Sequence, residues 1–340
     1  MSMQLSNDFV FRPIPEIEES THKASDNPLG DLAQLAGTWG GTGFNLIWRP
    51  HFQAQPGAPP QDHFLELNLT NETLQFNAIP GDIPNRGLLQ PDLTLAGIQY
   101  LQQISDATTR HTNRTALHFE PGMWLNMPPT TNPREQGTVC RLGSIPHGTT
   151  VLAQGVSFVV EGPPEFDVAN TVPFEIGNPQ NPIPFPESNL SEHHHFRFPA
   201  GAHPHGITQE MVDNPNSVLQ AAIAGQTIIR TVVLQVSSDT TQPLPPQTPP
   251  TPPPPPPQTL ETEVGGGTAN TAFLEGAPPV PQNANANAAL VTATFWIETV
   301  QGPDGEPDFL QLQYTQTVLL NFNGLSWPHV SVATLRNFNP

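Results

Sequence analysis

From Thr38 onward, apolar side chains return at every second position rather than at helical spacing. In Phe64-Leu65-Glu66-Leu67-Asn68-Leu69 three leucines share one side of an extended chain, and Thr73 to Ile79 alternates again. Such a chain buries one face of each strand and must find a partner for every strand edge. Comparable runs cover Thr38–Arg49, Thr115–Met127, Thr138–Leu142, Thr149–Glu161, Thr227–Ser237, Ala289–Val300, Phe309–Phe322 and His329–Phe338. The count is roughly ten strands with little helix between most of them. That pattern implies an all-β antiparallel architecture, a sandwich or a closed barrel. Two segments read as helical: Gly30–Ala36, with Asp31 near its start, and Thr208–Ala224, split at Asn214-Pro215 and closed by Gly225. Leu93–Ser105 also fits helical spacing through Leu95, Ile98, Leu101 and Gln102.

Forty-three prolines and 26 glycines in 340 residues give loops a large share of the chain. Residues 1–29 read as an arm. Residues 30–340 read as one enlarged β-domain with insertions at 163–206 and 240–285. The run Pro252–Pro257 is expected to be an extended left-handed helix, either a semi-rigid spacer or a docking site for a polyproline-binding partner. A short pattern recurs as Phe44-Asn45, Phe76-Asn77, Phe322-Asn323 and Phe338-Asn339, and reads as an inward Phe followed by a turn-forming Asn.

The formal charge is −19, with Lys23 the only lysine. Phosphate backbones and anionic membrane surfaces need clustered cations, so neither is an expected partner. No apolar run reaches the roughly 18 residues of a membrane span. The first residues lack a basic segment followed by an apolar one, so the expected location is cytoplasmic. One cysteine, Cys140, excludes an internal disulfide and a cysteine-built zinc site, and in an alternating strand it reads as core.

Gly37-Thr38-Trp39-Gly40-Gly41-Thr42-Gly43-Phe44, just after a short helix, resembles the first strand of calycin barrels. In that superfamily a Gly-x-Trp plugs the barrel base. Three blocks in order resemble the heme-binding nitrobindins within it. They are Trp39-x-Gly41-x-Gly43; His118-Phe119-Glu120-Pro121-Gly122-Met123-Trp124-Leu125 followed by Ile145-Pro146-His147-Gly148; and Trp327-Pro328-His329 running to Arg336. The resemblance implies a calycin-like closed barrel binding an apolar cofactor, b-type heme, with His329 on the iron. Trp39, Thr42, Phe44, His118, Met123 and Trp124 would line or border the slot. Nitric oxide or peroxide chemistry, or simple carriage, would follow. The chain departs from the family by its two long insertions and by the Pro-His order at 146–147.

Two other readings stand beside it. One is a lipocalin-like carrier of a small apolar ligand without heme, or a structural barrel filled by its own side chains. The other is a metal-dependent enzyme. His193, His195, His203 and His205 form the densest imidazole cluster, and alternate residues of an extended chain share a face. Glu187 or Glu192 would add a carboxylate to make a facial triad. No nucleophile elbow and no phosphate loop is present, and no catalytic acid–base pair stands out.

Overall fold

The computed structural model describes residues 27–51, 63–88, 91–108, 115–132, 134–146, 148, 150–239, 287–303 and 306–338. Ten long strands follow one another: β1 (Gly37–Pro50), β2 (His63–Ala78), β3 (Leu93–Asp106), β4 (Ala116–Met127), β5 (Thr138–Ser144), β6 (Thr150–Glu161), β7 (Ile228–Ser237), β8 (Asn287–Val300), β9 (Phe309–Phe322) and β10 (Leu325–Asn337). Each pairs antiparallel with the next, and β10 returns to β1, with Gly41 opposite Leu335 and Asn45 opposite Ser331. The sheet is thus a closed up-and-down barrel of ten strands, and closure leaves no unpaired edge along the wall.

Leu93–Ser105 is strand, not helix. Ile98, Tyr100, Gln102 and Ile104 are buried at every second position, and Ile98 sits opposite Trp124 of β4. The apolar spacing there satisfied both periods, and pairing on both sides decided it. The other helical expectations hold. A 3-10 turn spans Gly30–Leu35. Helix α1 (Gln209–Asp213) is capped by the Thr208 hydroxyl on the Met211 amide, and α2 (Asn216–Ala222) starts after Pro215.

Inside the barrel, Trp39 is fully buried with Leu32 and Leu35 of the 3-10 turn, and its indole N–H donates to the Leu35 carbonyl at 2.7 Å. Leu74, Ile98 and Trp124 pack in the same cluster and complete an apolar plug at the end where β1 begins.

The outer wall of β1, β2 and β10 is apolar too. Phe44, Leu46, Trp48, Leu67, Val330 and Val332 face outward and pack beneath the connection between β6 and β7. That connection, residues 162–227, lays Leu190, Ile207, Val212 and Leu219 over them. The Trp48 indole donates to the Thr171 carbonyl at 3.0 Å, and the Leu65 amide to the Phe196 carbonyl at 3.0 Å. The Arg197 guanidinium gathers the carbonyls of Glu187, Asn189, Glu192, Pro199 and Gly201, which holds this irregular segment in one shape. The insertion is therefore a cover for the flank of the barrel. Phe44 is correspondingly an outward residue and Asn45 an inward one in mid-strand, the reverse of the expected inward Phe with a turn Asn.

Candidate functional site

Strand alternation carries each wall from the apolar plug into a polar half. On β1 the inward series runs Trp39, Gly41, Gly43, Asn45 and Ile47; on β2 it runs Phe76, Leu74, Glu72, Thr70 and Asn68. On β3 it continues from Tyr100 to Gln102 and Asp106, on β4 from Trp124 to Glu120 and His118, and on β10 from Leu335 to Ser331 and His329. The facing strands stay apolar, with Val151, Ala153, Val236, Val291 and Val318 on the inner side. The lumen is amphipathic across its width as well as graded along its length.

Two hydrogen-bonded groups occupy the polar wall. In the first, the Arg141 guanidinium, 1% exposed, donates to Glu120 Oε1 at 2.7 Å, to the Tyr100 hydroxyl at 3.1 Å and to Gln316 Oε1. The Tyr100 hydroxyl also donates to Glu120, and His118 Nε2 lies 3.0 Å from the second Glu120 oxygen. Burial alone would raise the Glu120 carboxyl. The Arg141 charge, with His118 and Tyr100, overcomes this and holds it down to about 2. Gly143 is required here, because a Cβ at that position would lie 2.6 Å from the Tyr100 hydroxyl and 2.7 Å from Glu120 Oε1.

The second group centres on Glu72. The Tyr314 hydroxyl donates to Glu72 Oε2 at 2.6 Å, Thr70 to its other oxygen at 2.8 Å, and the Gln102 amide to the Tyr314 oxygen at 3.0 Å. Among the described residues no guanidinium reaches Glu72, so burial prevails and its carboxyl is pushed above the usual range despite these bonds. The lumen thus sets a carboxyl held below the usual range beside one pushed above it.

Beyond these groups Asn45 and Asn68 sit opposite each other on β1 and β2, 2% and 3% exposed. The Asn68 amide nitrogen lies 3.5 Å from Asp106 Oδ1. The side-chain oxygens of Asn45 and Asn68 are buried without a hydrogen-bond partner. A buried acceptor left unmade costs about 1–3 kcal/mol, and these two share one wall.

Of the expected slot residues, three face the lumen and three do not. Trp39 and Trp124 lie in the plug, and His118 is bound to Glu120. His329 takes an inward register position on β10 between Ile47 and Val318, with Nε2 3.4 Å from Ser331 Oγ. Phe44 is on the covered outer wall, Thr42 is exposed on the outside, and Met123 is exposed on the outer face of β4. The alternation that turns Trp39 and Trp124 inward turns these three outward. Around His329 the inner wall carries Asn45, Ser331 and Gln316, and the two tryptophans are at the far end. His329 lies on the inner wall, but the expected residues do not build an apolar porphyrin slot at it.

The imidazole cluster also resolves differently. His193 and His195 are exposed with their rings 4.7 Å apart, and His203 and His205 are exposed. Glu187 turns away from them, with Oε1 3.4 Å from His63 Nε2 and 3.6 Å from His194 Nδ1, while Glu192 is exposed. Among the described residues no group of three or more His, Cys, Asp or Glu is arranged to hold a metal ion. Pro252–Pro257 and His147 lie outside the described residues. No described helix is long and apolar enough to cross a membrane.

The residues missed by sequence reasoning are Asn45, Asn68, Glu72, Arg141 and Gln316. Their signal was parity: each is polar at a position in phase with buried apolar residues of its own strand. Comparison with protein families, with characterised proteins and with solved structures finds no match for this chain.

Proposed function

We propose that the barrel is a binding protein for a small molecule with an apolar body and a donor-bearing polar head. The observation that carries this reading is the pair of buried, unpartnered oxygens of Asn45 and Asn68 on the inner wall. A ligand N–H or O–H would satisfy them, and the facing valines would take the apolar body. Dansylamide tests it: the naphthalene ring is apolar, the sulfonamide NH2 donates, and emission shifts to the blue on burial. Binding by the full chain, weakened about tenfold in Asn45→Leu/Asn68→Leu, is the expected result. Absence of binding, or equal binding by the double variant, overturns it.

Heme is the second reading, favoured by the inward position of His329 on β10. In that case His329 would hold the iron, and the porphyrin would have to lie against Ile47, Val318 and the polar side chains beside them. Titration with hemin discriminates the two. A Soret band present in the wild type and lost in His329→Ala supports heme; no band removes it.

A further inference from the structure

On the outer face of β1–β4 lies a concavity of about 430 Å³. Its floor is a row of register partners: Gly40 opposite Thr73, Thr73 opposite Gln103, and Gln103 opposite Phe119. Asn71 and Ser105 form the adjacent row. At one end the Phe338 ring lies against Gly40, where a Cβ would come within 2.4 Å of the ring and push it aside. At the other end stands Phe119. Both rings are exposed, by 61% and 43%. Three strand spacings separate the Gly40 and Phe119 columns, about 14 Å.

The outward side chains among the described lining residues are neutral. Glu72 and His118 touch it only through the sheet, because their side chains point into the barrel. What faces outward is two amides, two hydroxyls and two aromatic rings. The side chains of Asn71, Thr73 and Gln103 make no hydrogen bond within the protein among the described residues. An amide donates and accepts side by side, which matches vicinal hydroxyls. An aromatic face carries negative charge density and accepts the axial C–H groups of a sugar ring. Among the described lining residues a phosphate or sulfate finds no outward cation, and a cationic ligand finds no outward carboxylate.

We propose that this groove binds a neutral saccharide chain, its sugar rings laid along Thr73 and Gln103 between Phe119 and Phe338. Rings pack against the two phenylalanines, and hydroxyls exchange hydrogen bonds with Asn71, Thr73, Gln103 and Ser105. The site is separate from the lumen and does not depend on what the lumen holds.

The test uses the full chain and three neutral trisaccharides built of glucose with α-links, glucose with β-links, and N-acetylglucosamine. Backbone amide shifts of residues 71–73, 103–105 and 119 are followed by NMR. The expected result is saturable binding of at least one trisaccharide, insensitive to added salt and weakened about tenfold in Phe119→Ala/Gln103→Ala. Both positions are on the exposed outer face, so the double variant keeps the wild-type melting temperature. Unchanged shifts with all three sugars overturn the proposal. So does equal binding by the double variant, or a preference for a sulfated or phosphorylated sugar that salt abolishes.

Discussion

Glu120→Gln is the most direct probe of the polar lumen. Glu120 is fully buried, and its carboxyl is held down from 4.5 to about 2, with Arg141 the strongest favourable influence. At about 1.4 kcal/mol per pH unit the shift corresponds to about 3 kcal/mol of stability. The sign follows from the folded state binding fewer protons than the unfolded one. The contribution is fully present above pH 4.5 and is lost as pH falls toward 2. Glutamine keeps the shape and removes the charge, leaving the Arg141 guanidinium buried with only Tyr100 and Gln316. Breaking one side of a buried pair costs about 3–5 kcal/mol, so the variant should unfold at clearly lower urea at pH 7. Glu120→Gln/Arg141→Met removes both charges and should regain at least half of the loss. The double-mutant cycle in urea measures this. If the two single losses simply add in the double variant, or if Glu120→Gln costs less than about 1 kcal/mol, the charges are not coupled and the reasoning fails.

Glu298 should show the opposite pH dependence. It is buried, with Oε2 accepting from Gln311 at 2.6 Å and Oε1 unpartnered, and burial pushes its carboxyl up to about 8. Here the folded state binds more protons, so the wild type loses about 4 kcal/mol as pH rises from 4.5 to 8. Glu298→Gln should gain on the wild type over that interval; a constant difference in denaturation midpoint from pH 5 to 9 would argue against it. Trp39→Ala should cost about 3–5 kcal/mol through the cavity left in the plug, read by calorimetry, and a loss below about 1 kcal/mol would mean Trp39 does not seal the barrel. Arg197→Lys cannot gather five carbonyls, so amide exchange should accelerate across 187–203 while the barrel strands stay protected; uniform protection would show the guanidinium to be dispensable.

The strands were legible in the sequence because alternation is a local property. A residue's neighbours at positions two away share its face whatever the rest of the chain does. This is why about ten strands follow from the residues alone, while the split helix follows from Asn214-Pro215 and the burial of Trp39 from the calycin resemblance. Sidedness did not follow, for a physical reason visible at Phe44 and Asn45. The connection between β6 and β7 covers the outer wall of β1, β2 and β10, so both faces of these strands are withdrawn from water. Once both faces are buried, hydrophobicity no longer says which one is inside. Phe44 went outward under the cover and Asn45 inward to the lumen, and with that exchange the expected apolar slot became a polar wall. Ring closure brought together Arg141 of β5, Glu120 of β4 and Gln316 of β9. It also paired Tyr314 of β9 with Glu72 of β2 across 242 residues of sequence. No local pattern encodes such pairs, because the barrel's curvature and register set the distances between strands far apart in the chain.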